Sequence, residues 1–236
     1  MQRLIADGLN NCAIAHQTGV PRRTVSDWRR RLPVRSRDSG ELPCKAHNFD
    51  GLRAGAYTYL LGLYLGDGCI SQHARRVWHL RITLDKKYPA IIDRCCAAID
   101  TLFPKQHASI SPRKYGCVDV SHYSKHCPCL LPQHGPGPKH LRPIQLEPWQ
   151  EVLAKQSTEE FMRGLIDSDG CRVVANDRGV RSVRHHFSNR SADILGLFTG
   201  ALDNLGIPWT RPSQYVIAIY RRAATARLDE FVGPKS

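Results

Sequence analysis

Two aspartates stand at matched places in this chain. Residues 62–69 read GLYLGDGC and residues 164–171 read GLIDSDGC, so Asp67 and Asp169 hold the sixth position of one octet, Gly-Leu-x-x-x-Asp-Gly-Cys, written twice. The copies start 102 positions apart. An Asp-Gly pair by itself marks a helix C-cap and nothing more. Here Gly62 and Gly66 lie four apart on one helix face, as do Gly164 and Ser168 on another. Small residues at that spacing let two helix backbones approach closely. If the two helices pack together, Asp67 and Asp169 finish side by side. Each then opposes the negative end of its helix dipole. Each also repels the other, so one takes up a proton unless a cation intervenes. A hard divalent cation with oxygen ligands, Mg²⁺ above all, resolves that arrangement, with Gly66 and Ser168 as the adjoining positions.

The elements that must position the pair also repeat. From Tyr57 the run YTYLLGLYLGDG is apolar and of helix length. A hairpin follows, whose second strand, 77–84, alternates: Trp78, Leu80, Ile82 and Leu84 on one face, His79, Arg81 and Thr83 on the other. A helix over 88–103 and strands over 108–113 and 117–121 complete the half. After Gly170 the order recurs. Residues 181–188 alternate, with Val183 and Phe187 opposed to Arg184, His186 and Ser188. A helix over 191–205, strands over 207–211 and 215–220, and a closing helix over 223–231 follow. The pattern predicts an internal duplication of helix, two strands, helix, two strands about a pseudo-twofold axis.

Charge points to the partner. Of 236 residues, 34 are Lys or Arg and 21 Asp or Glu, a formal net charge of +13 that favours a polyanion. Residues 20–37 alone hold seven arginines and one aspartate. Within residues 11–30, NCAIAHQTGVPRRTVSDWRR, Ala15 is small enough for a helix crossing and Gly19 suits a left-handed turn. Ile14, Val20, Val25 and Trp28 supply apolar contacts, and Pro21 suits a helix start. This spacing predicts a helix-turn-helix with residues 22–31 as its second helix. Arg22, Arg23, Ser26 and Asp27 would meet base edges and Arg29, Arg30 and Arg31 would hold phosphates. A Pro- and Gly-rich linker follows, and its Cys44 and His47 are read as solvated.

The octets carry a family resemblance. LLGLYLGDG (60–68) and MRGLIDSDG (162–170) resemble the two copies of the motif of LAGLIDADG homing endonucleases. The second copy matches at Gly164, Leu165, Ile166, Asp167, Asp169 and Gly170. The first departs at Tyr64 and Leu65 but keeps Gly62, Leu63, Asp67 and Gly68. The resemblance covers roughly residues 57–232. It implies a pseudo-dimer on paired motif helices, with antiparallel sheets saddling the DNA major groove. It also implies that Asp67 and Asp169 bind the Mg²⁺ or Mn²⁺ ions that polarise the scissile phosphate and generate the hydroxide nucleophile. It places His79, Arg81, Thr83, Arg113, Arg184, His186, Ser188 and Arg211 toward DNA. It further asks for a lysine near the metals, for which Lys125 is the candidate, with Arg221 or Arg222 in the second half. Bacterial sporulation-type regulators also join a LAGLIDADG-like domain to a helix-turn-helix, and they regulate without cutting. RNA-binding maturases are a third reading of the same resemblance.

Residues 122–149 lie between the halves and carry His126, Cys129, His134 and His140, with His122 and Cys127 nearby. An ordered basic linker is preferred there over a zinc site, because no Cys-x-x-Cys pair anchors one. Nine cysteines, two of them adjacent at 95 and 96, fit reduced thiols in a cytoplasm, in association with the nucleoid. Cys69 and Cys171 are read as small core residues. No 18-residue apolar run or signal-peptide pattern is expected to engage a membrane. The expected fold class is α+β: a helix-turn-helix over 1–34, a linker over 35–56, one αββαββ half over 57–123, a linker over 124–150 and the second half over 151–236. Such a chain is a monomer with double-stranded DNA as partner.

Overall fold

A computed structural model describes residues 11–25, 49–73 and 76–235. The expectations for Ser26, Asp27, Trp28, Arg29, Arg30, Arg31, Cys44 and His47 lie outside the described residues. The chain divides into two compact units, Met1–Pro43 and Cys44–Ser236. In the first, α1 (Asn11–Thr18) ends at Gly19, whose φ of 69° is left-handed and whose N–H bonds to the Ala15 carbonyl at 2.9 Å. Residues 22–25 are again helical, and Ile14 and Val25 are buried.

The second unit is the predicted duplication. The first half runs α2 (Ala54–Asp67), β1 (Gly68–Gln72), β2 (Trp78–Asp85), α3 (Pro89–Leu102), β3 (Ser109–Pro112) and β4 (Cys117–Ser124). A connecting segment holds the short α4 (Cys127–Leu130) and α5 (Pro148–Gln156). The second half runs α6 (Thr158–Asp169), β5 (Gly170–Asp177), β6 (Val180–Ser188), α7 (Ala192–Asn204), β7 (Thr210–Ser213), β8 (Val216–Ile219) and α8 (Arg222–Phe231). Each half builds an antiparallel four-stranded sheet, in the orders β1-β2-β4-β3 and β5-β6-β8-β7. Among the described residues, no helix is long and apolar enough to cross a membrane.

The motif helices form the centre. Tyr57–Leu65 of α2 is buried without interruption, as expected of a helix apolar on every side. The sheets lie outside them with one face inward. Leu80, Ile82 and Leu84 of β2 are buried with Val118 and Val120 of β4. In β6 the inward row holds Phe187, stacked on Phe198 of α7 at 4.2 Å, and also His185, which the alternation had not singled out. His185 Nε2 lies 3.0 Å from Asp229 Oδ1 on α8, where Arg172 of β5 donates both Nε and Nη2 to the same carboxylate.

Helix α5 straddles residue 150, the expected boundary between linker and second half, and was not expected as a helix. Its signal was nevertheless present: Glu147 and Gln150 form a reciprocal capping box around Pro148 in the first turn. Gln150 is wholly buried and donates to the Tyr57 hydroxyl at 2.6 Å, and that hydroxyl donates to the Leu130 carbonyl at 2.7 Å. Gln133 donates to Gln150 Oε1 at 2.5 Å. This network fastens the connecting segment to the central helix.

Candidate active site

The two carboxylates end helices that touch backbone to backbone. A Cβ on Gly62 would lie 2.6 Å from the Phe161 carbonyl oxygen and 2.7 Å from the Leu165 nitrogen. One on Gly164 would overlap the Tyr59 carbonyl oxygen. One turn further on, a Cβ on Gly66 would strike the Ser168 side chain and lie 2.8 Å from Asp169 Oδ2. The Asp169 carboxylate therefore rests on the last turn of α2.

The Asp-Gly steps end their helices as C-caps, without a left-handed glycine. Gly68 and Gly170 are extended, at φ −90° and −93°, and each helix passes directly into a strand. Glycine is required by space. A Cβ on Gly68 would meet Tyr64 Cα at 2.5 Å, and one on Gly170 would meet Ile166 Cα at 2.8 Å.

Burial raises the Asp67 carboxyl to about 6, and the charge of Asp169 adds to the effect. Burial raises Asp169 too, while Asn189 donates to its Oδ2 at 2.6 Å and pulls it back. Two lysines oppose these shifts. Lys139 Nζ donates to the carbonyls of Gly66 (3.2 Å) and Gly68 (2.5 Å), and Lys235 Nζ to those of Asp167 (2.8 Å) and Ser168 (3.4 Å). Each ammonium thus caps the carbonyl end of one motif helix, and both lower the carboxyls of Asp67 and Asp169. Burial lowers Lys139 to about 8, which leaves it charged at neutral pH.

Neither lysine was among the sequence candidates, yet a signal for them exists. Gly137-Pro138-Lys139 and Gly233-Pro234-Lys235 are the same tripeptide, one after each half. Both glycines are left-handed, at φ 75° and 67°. The candidate Lys125 is instead exposed, in the turn that follows β4. Arg221 and Arg222 are exposed at the start of α8. The reason is geometric: the ends of β4 and β8 are not where the motif helices end, and a separate segment must return to them.

A cavity of about 380 Å³ opens beside Asp169, lined among others by Gly66, Lys139, His140, Asn189 and Arg190. His140, one of the candidate zinc ligands, lines this cavity. His126 caps α4 and Cys129 lies within it, whereas His134 packs edge-on against Trp78 at 5.1 Å. Among the described residues, no three His, Cys, Asp or Glu side chains gather as a metal-ligand set. Asp67 and Asp169 are a pair of hard oxygen donors whose raised carboxyls a divalent cation would relieve. Magnesium is commonly held by one or two carboxylates, with waters and substrate phosphates completing its shell, and the pair fits that mode. The carbonyls of Gly66 and Ser168 are already engaged by the lysines.

The outer faces of the sheets carry the other expected residues. On the first sheet, His79 stacks on Tyr123 at 4.1 Å, and Arg81 Nη2 donates to Cys69 Sγ at 3.3 Å. Thr83 and Arg113 both donate to Asp119. On the second, Arg184 lies over the Tyr220 ring and His186 meets that ring edge-on, while Ser188 is exposed. Arg211 donates to the Gln214 carbonyl at 2.7 Å. Cys69 and Cys171 are exposed on these faces, not core residues, because the strand that starts at each motif glycine turns the next side chain outward. Arg22 and Arg23 are exposed in the first unit.

No family model matches the chain, and no curated protein sequence matches it. Among solved structures, the fold is similar to that of the homing endonuclease I-DmoI in complex with DNA and Mn, at 17% identity and a TM-score of 0.49. That match covers 76% of this chain and 97% of the other. The N-terminal LAGLIDADG domain of WhiA is similar at 17% identity and a TM-score of 0.48, over 78% and 84%. The LAGLIDADG meganuclease I-AabMI bound to uncleaved DNA is similar at 13% and 0.46, over 74% and 82%. The names of the last two include LAGLIDADG. Similarity at this distance concerns architecture, and activity has to be argued from the residues of this chain.

Proposed function

We propose that this chain binds double-stranded DNA and hydrolyses its phosphodiester bonds with Mg²⁺ or Mn²⁺ held by Asp67 and Asp169. The observation that carries the reading is the half-buried carboxylate pair, built by close packing of two glycine-bearing helices and flanked by two lysines. Such a pair is costly, and cost at matched positions of a duplication is where function is expected. The bound ion would polarise the phosphate and supply a nucleophile at neutral pH. The chain's own residues do the remaining work. Lys139 and Lys235, fixed on the motif carbonyls, offer positive charge to a phosphate entering between them. Asn189 orients the Asp169 carboxylate through its 2.6 Å hydrogen bond. The outer sheet faces, with Arg81, Arg113, Arg184 and His186, supply groups for bases and phosphates, and the arginine-rich segment 22–37 adds affinity.

A second reading rests on the same lysines. Their ammonium groups balance the two carboxylates without any metal, which a DNA-binding regulator that does not cut would need. Mapping the bound duplex and incubating it with Mg²⁺ or Mn²⁺ separates the readings. Cleavage that disappears in both Asp67→Asn and Asp169→Asn, with DNA affinity intact or raised, supports the nuclease. A wild-type chain that binds its site tightly and never cuts leaves the regulator. Failure to bind duplex DNA at low salt removes both.

A further inference from the structure

The outer face of the first sheet holds a feature that its counterpart lacks. Asp119 lies in the middle of β4, opposite Thr83 of β2 and Ser111 of β3. It points to the same outer side as Thr83, yet its side chain is only 8% exposed. Arg113, just beyond β3, covers it and donates Nε to Oδ2 at 2.6 Å, while Thr83 donates its hydroxyl to Oδ1 at 2.8 Å. Each carboxylate oxygen therefore accepts one hydrogen bond from the protein. These hydrogen bonds and the nearby arginines keep the carboxyl below its ordinary value despite burial, so it is ionised at neutral pH.

An ionised carboxylate in the middle of a face meant for a polyanion works against affinity. It must do something in return. With Nε spent on Asp119, the plane and direction of the Arg113 guanidinium are set. Among the described residues the two Nη groups have no hydrogen-bond partner, and the side chain is 48% exposed. A guanidinium held in one orientation with two parallel donors free is the geometry that meets O6 and N7 of guanine in the major groove. Asp119 itself is withdrawn from a cytosine amino group, because its side chain is only 8% exposed.

The duplication supplies an internal control. The strand registers superpose Ile82↔Val120 on Phe187↔Ile217, so Val216 takes the place of Asp119 and Ser188 that of Thr83. Past β7, the place of Arg113 falls near Gln214. Among the described residues, a carboxylate–guanidinium pair thus occurs at this place on the first sheet and not at the matching place on the second.

We infer that Arg113, held in place by Asp119, reads a guanine in the half-site that lies on the first sheet, and that the other half-site has no equivalent guanine position. Asp119 is a positioning residue for that contact. The inference rests on the DNA-binding reading above.

The test is selection of bound duplexes from a randomised pool with wild type, Arg113→Lys and Asp119→Asn, followed by binding measurements on single-base variants of the selected site. The wild type should enrich guanine at one position of one half-site. Arg113→Lys keeps the charge and loses the planar pair of donors; Asp119→Asn removes the negative charge that holds Arg113 and leaves one acceptor oxygen in place of two. Both should lose about tenfold to a hundredfold of guanine preference at that same position, with affinity for unselected duplex unchanged or raised. A merely structural ion pair behaves differently: Asp119→Asn would then weaken all sequences alike and leave the base pattern unchanged, which overturns the inference. So does guanine preference that Arg113→Lys leaves intact, a measurement that stands even if Asp119→Asn does not fold. Absence of duplex binding by the wild type strikes the DNA-binding reading itself, and is told apart by that.

Discussion

Replacing Gly164 with alanine adds one methyl group at the point where the central helices meet. That methyl would overlap the Tyr59 carbonyl oxygen and lie 3.1 Å from Gly62 Cα and from the Leu63 nitrogen. Every obstructing atom belongs to the α2 backbone, so no side chain can swing aside. The helices must part instead, which loosens the buried Tyr57–Leu65 stretch against Phe161, Met162 and Leu165. Overpacking of this kind costs about 1–3 kcal/mol and sometimes more, and a backbone obstruction belongs at the upper end. Alanine returns about 1 kcal/mol of helix propensity, leaving a net loss of about 2 kcal/mol. Gly196→Ala and Gly200→Ala are the controls. Both sit in α7 with no atom within 4 Å of the added methyl, so each should gain about 0.5–1 kcal/mol. Urea or guanidinium unfolding reads all three. Gly164→Ala as stable as Gly196→Ala would refute the close crossing and, with it, the reason that Asp67 and Asp169 are neighbours.

Further outcomes follow from the same geometry. Asp67 titrates near 3.8 when unfolded and about 6 in the fold, so its ionisation lowers stability progressively between those values and fully above them. Asp67→Asn should therefore stabilise the metal-free protein by up to about 3 kcal/mol near pH 7 and by nothing below pH ~3.5, as unfolding curves at the two pH values would report. Tyr59→Phe removes the 2.9 Å donor to Asp167, which is buried and keeps Arg94 at 3.0 Å. Loss of a hydrogen bond to a charged group should cost about 1.5–3 kcal/mol, and an unchanged unfolding midpoint would show that Arg94 alone satisfies that carboxylate. Replacing Arg29, Arg30 and Arg31 with alanine should weaken binding to every duplex and flatten the log–log salt dependence by about one unit per lost phosphate contact. An unaltered salt slope would mean that these arginines do not touch the DNA backbone.

Much of the architecture is legible in the residues because its causes are local. The repeated octet announces the duplication. The period of two in residues 77–84 assigns Leu80 and Ile82 inward and Arg81 and Thr83 outward, since successive side chains of a strand must alternate. Small residues four apart foretell the helix crossing, because only a missing side chain allows it. The charge balance of the site was not legible in this way. Lys139 meets carbonyls 71 and 73 positions earlier in the chain, and it arrives there because Tyr57, Gln133 and Gln150 fasten the connecting segment. The repeated Gly-Pro-Lys says that a turn precedes each lysine; it does not say where the turn leads. Asp119 reads locally as one more polar residue on an alternating strand, and only the return of Arg113 over it makes it a buried carboxylate. The candidate zinc ligands show the reverse: close in sequence, they do not gather as a set of three or more among the described residues, and His134 packs on Trp78 instead. Periodicity is set by the sterics of neighbouring residues, whereas the meeting of distant charges is set by how the whole core packs.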